Sequence, residues 1–240
     1  MNELITKGAL VSEKDLTDAD LKKIERYSMK KLTLDDIFVF KIAICDNEVD
    51  RDFEVFPSQT LNKLAEMYVG KTIISNHDRK AEKQCARIYD TYVEDGNGTT
   101  RNNEQYQRLM ACCYMARTPS NADLISEIEA GIKKEVSVCC AIGAVECSIC
   151  GTDNRKTFCE HYGGKDYDGQ QCYFRLREPK DAYEVSFVAV PAQPNAGVTK
   201  EYGGLKPKEE NKIMNEDLVD LELEIAKSFI FTEKERMNEK

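Results

Sequence analysis

"KEVSVCCAIGAV", residues 134–145, is the stretch on which the fold turns. Strand alternation sends Glu135 and Ser137 to one face and Val136 and Val138 to the other. "YEVSFVAV", residues 183–190, echoes it, with Glu184 and Ser186 sharing a face. Both read as strands, and they flank "CSICGTDNRKTFCEHYGGKDYDGQQC", residues 147–172, which holds four of the ten cysteines and one of the two histidines. Outward from this pair, "IFVFKIAIC" (37–45), "KTIIS" (71–75), "CARIYDTYVE" (85–94) and "YQRLMACCYMA" (106–116) also read as strands, with "DGNGTTRNNEQ" as a turn-rich connection.

Helices fall between them. In "FPSQTLNKLAEMYVG", Ser58 is the expected cap, Leu61, Leu64, Ala65 and Tyr68 the apolar face, and Gly70 the stop. In "TPSNADLISEIEAG", Thr118 caps, Pro119 takes the first position, Leu124, Ile125 and Ile128 face inward, and Gly131 ends the helix. Six or seven strands with two or three helices predict an α+β domain with a β-rich, barrel-like core, closed or partly closed. The expected organisation is a helical arm over 1–36, a core domain over 37–200 with a metal-binding insert at 146–172, and a linker with an acidic helical tail over 201–240. A thin stripe of Leu218, Leu221 and Ile225 suits that tail to a partner helix, or to a plain solvated one.

The 240 residues carry 34 basic and 43 acidic side chains, a net charge of −9. That balance and the lack of a basic cluster argue against nucleic acid as a ligand. No apolar run of about 18 residues occurs, so neither a membrane span nor a secretory signal is expected. The cysteines therefore read as reduced thiols. Cys45, Cys85, Cys112, Cys113, Cys139 and Cys140 lie in apolar strands as small hydrophobes.

Within 147–172, Cys147-x-x-Cys150 supplies two corners of a zinc tetrahedron on one knuckle, and Cys159-x-His161 supplies two more. Cys172 is the alternative to His161 as fourth ligand. Four protein ligands leave no open position, so the zinc is expected to be structural, with no cofactor for catalysis. A chance cluster and a redox pair are the competing readings. If His161 binds metal, His77, in "TIISNHDRK" at a strand end, is the remaining imidazole for general-base chemistry, or else a surface residue in a polar turn. Ser137 and Ser186 are strand serines, either nucleophile candidates or small polar residues on one side of a sheet.

"VFKIAICDNEVDRDFEVF", "LAEMYVGKTIISNHDRKAEKQCARIYDT", "IEAGIKKEVSV" and "DAYEVSFVAVPAQPNAGV", taken together over residues 37–198, resemble tailed-bacteriophage prohead (capsid maturation) proteases. These are serine proteases similar in fold to herpesvirus assemblin. The resemblance implies His77 as catalytic histidine, Ser137 as nucleophile and Glu184 as the acidic third member, with Asp181 as runner-up and Ser186 a structural echo. It implies scaffold and major capsid protein segments, and the chain itself, as substrates, with self-association inside proheads in the host cytoplasm. The cysteine loop between the Ser137 and Glu184 strands departs from a minimal phage protease, and it puts the third member in doubt if it separates those strands. The competing expectation is a non-catalytic, zinc-stabilised head-assembly or scaffold-binding module on the same fold. An unrelated zinc-binding adaptor is a third.

Overall fold

The computed structural model describes residues 16–193 and 196–198. The expected tail and residues 1–15 of the N-terminal arm lie outside them. Strand β1 (Ile37–Asp46) is buried at every residue but Lys41 because it is covered on both faces. Phe38, Phe40, Ile42 and Ile44 enter the main core. Ile37 and Val39 pack instead with Ile24 and Leu32 of the N-terminal arm. There, helix α1 (Asp18–Glu25) starts at Thr17, whose hydroxyl accepts the Asp20 N–H while Asp20 accepts the Thr17 N–H, a reciprocal cap.

The other elements follow in order: β2 (Glu54–Val55), α2 (Ser58–Tyr68), β3 (Thr72–Ser75), β4 (Ala86–Thr99), β5 (Gln105–Ala116), α3 (Ala122–Glu129), β6 (Val136–Cys147), β7 (Asp166–Tyr167), β8 (Gln170–Gln171), β9 (Phe174–Phe187) and β10 (Gly197–Val198). The main sheet runs β10-β1-β5-β4-β3-β9-β2, with β6 also paired to β9; β7 and β8 form a separate small hairpin. Its pairings are antiparallel except β3–β9 and β2–β9, so the sheet is mixed. The chain is thus α+β and rich in strand, but the expected barrel does not close. One isolated bridge, Glu135 to Gly197, ties the entrance of β6 to β10.

Three local expectations are corrected. Ser58 does not cap α2: Pro57 precedes the helix, and the Ser58 hydroxyl and N–H both bond the Glu104 carboxylate. Thr118 and Pro119 open a short 3-10 turn rather than α3. The first five residues of the turn-rich connection extend β4 to Thr99, because its partner β5 continues alongside to Gln105.

The cysteine loop sits at the tip of a hairpin. β6 and β9 pair from Val136–Phe187 to Cys147–Phe174, so the insert does not part them. Register shifts after Cys139 and Ala141 bend this hairpin. Val136 near one end of the ladder and Leu176 near the other then line the same cleft.

Phe40 is fully buried, its ring 5.4 Å from Phe38 and 6.3 Å from Phe187. Phe40→Ala is expected to cost about 3–5 kcal/mol, read as a lower urea midpoint at unchanged m-value.

Candidate active site and metal centre

β3 ends at Ser75, and the next two residues, Asn76 and His77, turn the chain with φ of 53° and 54°. A non-glycine residue in the left-handed region costs roughly 1–2 kcal/mol, so two in succession need compensation from the surroundings. The end of β9 supplies it. The Phe187 carbonyl accepts the Asn76 N–H at 2.9 Å, and the buried Ser186 hydroxyl accepts the His77 N–H at 2.8 Å.

So held, the His77 ring places Nδ1 2.8 Å from Glu184 Oε1. Glu184 is 2% exposed, and its Oε2 has no hydrogen-bond partner. A carboxylate accepts, so Nδ1 carries the proton and the neutral ring presents Nε2 as an acceptor. The His77 side chain is 41% exposed, which leaves that edge within reach of solvent.

The β6–β9 register puts Ser137 directly opposite Ser186, and Cys139 opposite Glu184. Side chains of such pairs share a face, with Cβ atoms about 4.5–5.5 Å apart. Ser137 therefore stands beside the serine that anchors His77, on the face that carries Glu184. Among the described residues the Ser137 hydroxyl makes no hydrogen bond. Ser137 also lines a cleft of about 120 Å³, whose lining includes Asp50, Asp52 and Glu54 but neither His77 nor Glu184. Among the described residues no Lys, Arg or His lines it. Burial first, and then neighbouring carboxylates, push the Asp50 and Glu54 carboxyls above their ordinary values.

Asp181 does not approach His77; it pairs with Lys71 at 3.2 Å and is half exposed. Cys139, read from sequence as core filler, has its sulfur 2.9 Å from the Arg79 guanidinium, which also lies over the Tyr183 ring. Sequence reasoning missed Arg79 and the anchoring task of Ser186. The echo "EVSF" marked Ser186, and its place on the Glu184 face was the available signal.

In the hairpin tip, one donor atom each from Cys147, Cys150, Cys159 and His161 lies within 4.8 Å of the others. Sulfurs on a zinc tetrahedron sit about 3.8 Å apart, so the set needs roughly 1 Å of contraction. His161 Nδ1 is buried without a hydrogen-bond partner, an orphan that a metal bond would satisfy. Cys172 lies 3.9 Å from Cys147 but outside the four-atom set. The cluster could hold a metal ion through these four residues. With all four positions filled by protein, that ion would supply cross-linking rather than chemistry. Thr152, 3.2 Å from Cys150 Sγ, holds that thiol down to about 6, whereas burial pushes Cys147 and Cys159 up.

No family model, curated protein or solved structure matches the chain. Among the described residues no helix is long and apolar enough to cross a membrane.

Elemental analysis is expected to find one zinc per chain, and Cys159→Ser to lose it together with thermal stability. The two raised thiols must give up protons to bind, so affinity is expected to weaken as pH falls. Competition with a chromophoric chelator at pH 8 and pH 6 reads that loss.

Proposed function

We propose that the chain is a serine endopeptidase of the phage capsid-maturation class, with an assemblin-like core pinned by a structural zinc ion. One observation carries the reading. The only described imidazole outside the metal cluster is locked to a buried carboxylate at 2.8 Å, on a strained backbone anchored by the serine that faces Ser137. A left-handed backbone at a histidine whose ring is held by a buried carboxylate suits a catalytic position better than a surface turn. The chain order of His77, Ser137 and Glu184 and the resemblance of residues 37–198 support the same assignment.

In this reading the Ser137 hydroxyl attacks a peptide carbonyl as His77 Nε2 takes its proton. The imidazolium then returns that proton to the leaving amine. A water molecule, deprotonated in turn by His77, hydrolyses the acyl-enzyme and restores Ser137. Glu184 fixes the tautomer throughout and stabilises the imidazolium. Between the Glu135–Gly197 bridge at one end and the Glu146–Asp153 bridge at the other, β6 has no described partner strand on the side away from β9. An extended peptide can add to that edge beside Ser137 and its cleft. Its substrates are scaffold and capsid-protein segments, and the chain itself, within an assembling prohead.

A second reading, a non-catalytic zinc-stabilised assembly module on the same fold, draws on the absence of a hydrogen bond between Ser137 and His77. Unliganded catalytic pairs are often this loose, and one experiment separates the two readings. Purified protein, incubated alone and with co-expressed scaffold, is followed by intact mass. The protease sheds discrete fragments and Ser137→Ala sheds none; equal processing by Ser137→Ala sinks the assignment. Glu184→Gln keeps the shape but not the charge, and is expected to lower kcat by roughly 10²–10⁴-fold, with near-native stability.

A further inference from the structure

The turn that precedes β2 is closed on itself by Asp50, whose carboxylate accepts the Asp52 and Glu54 N–H groups, each at 2.9 Å. Phe53, whose N–H donates to the Asp50 carbonyl at 3.2 Å, closes this turn with φ of 58°, a left-handed conformation that an aromatic residue rarely adopts. Further support comes from outside the turn. The Phe53 carbonyl accepts the Phe174 N–H at 2.8 Å, and β2 pairs in parallel with the start of β9.

Its ring lies against Gly163 and Gly164 of the cysteine loop. The fit is close: a methyl group on Gly164 would come within 2.6 Å of Phe53 Cζ, and one on Gly163 within 3.1 Å of Phe53 Cβ. Gly163 and Gly164 follow two and three residues after His161, a residue of the metal cluster. Phe53 is flanked by Asp52 and Glu54, and both line the cleft that includes Ser137. Glu54 is half-buried there, and its carboxylate has no hydrogen-bond or ion-pair partner among the described residues. A contact path thus runs from the metal ligands through the two glycines and Phe53 to the acidic wall of the cleft.

We propose that the metal-folded loop is the buttress of the cleft beside Ser137, and that Phe53 is the positioning residue through which it acts. Metal binding orders Gly163 and Gly164, they hold the Phe53 ring, and the ring keeps the 50–54 turn in its left-handed form. The carboxylates of Asp52 and Glu54 then face the peptide. The kinetic part of this inference rests on the protease reading above; the structural part does not.

Hydrogen exchange at the amides of Asp52, Phe53, Glu54 and Phe174 tests the path without any activity. All four belong to the turn or to its tie to β9. Stripping zinc from the full-length wild-type chain is expected to speed their exchange at least tenfold, with the amides of β4 and β5 unchanged. Phe53→Ala, whose metal ligands are intact, is expected to show the fast exchange with zinc still bound, and zinc removal should then add little. Phe53→Leu, which keeps an apolar side chain against the glycines, should recover part of the protection.

With a quenched peptide carrying lysine near the scissile bond as probe, chosen because its ammonium complements the carboxylates of Asp52 and Glu54, Phe53→Ala should raise KM about tenfold and leave kcat within twofold. Unchanged exchange in the stripped wild-type protein overturns the buttress, whatever the kinetics. A fall in kcat at constant KM overturns the positioning role. If the wild type hydrolyses no peptide while the exchange result holds, the protease reading fails and the buttress stands.

Discussion

The pairing of β6 with β9 is the constraint on which the rest depends. Because a strand's side chains alternate, a one-residue slip would turn every one of them to the opposite face. In the observed register Ser137 meets Ser186 and Cys139 meets Glu184 at one end, while Cys147 meets Phe174 at the other. That one ladder therefore fixes the candidate active site and the neck of the metal loop. β9 is also the strand against which β3 delivers His77 and β2 delivers Glu54. Val136, Val185 and Phe187 hold the register by burying the alternate face in the core.

His77 shows how such a scaffold supports an unfavourable local state. The sequence around it is short, polar and ends in a turn, and by itself would not hold an imidazole in the left-handed region. Two hydrogen bonds from β9, to Asn76 and His77, and a third between the ring and Glu184 do so. Each is worth on the order of 1 kcal/mol, more where the partner is ionised, so together they offset a strain of similar size. The same logic holds at Phe53, where aromatic packing on two glycines adds to the hydrogen bond that the Phe53 carbonyl accepts from Phe174.

Much of this was legible in the sequence. Alternation in "KEVSV" and "YEVSF" assigned faces to Ser137, Ser186 and Glu184, since a period of two survives any sheet topology. The spacing of Cys147, Cys150, Cys159 and His161 gave the metal cluster, because a knuckle is local in sequence. What was not legible is non-local. Whether β6 and β9 stay neighbours across the loop depends on pairing energy that no local pattern encodes. The partner of Ser58 is Glu104, 46 residues away, so a residue that looks like a helix cap serves a loop contact instead. Arg79 beside Cys139 joins two elements 60 residues apart. The open sheet was missed for a related reason: closure is decided by the edges of β6 and β10, which meet at a single bridge.

A hairpin tip needs only two to five residues to turn, yet this one uses the whole of 148–173. Lengthening a loop adds only slowly to its closure cost, but within 148–173 Cys172 is the only fully buried apolar side chain, so apolar packing does little to order the segment. A metal ion held by Cys147, Cys150, Cys159 and His161 would solve that problem, because its binding free energy is folding free energy for the segment that holds it. The ordered tip then reaches a second element, the 50–54 turn, which a short reverse turn between β6 and β9 would not touch. Glu54, half-buried and unpaired with its carboxyl pushed up by burial, is a standing cost to the fold. Glu54 lines the cleft that includes Ser137, so in the proposed reading that cost falls where a substrate would meet the carboxylate.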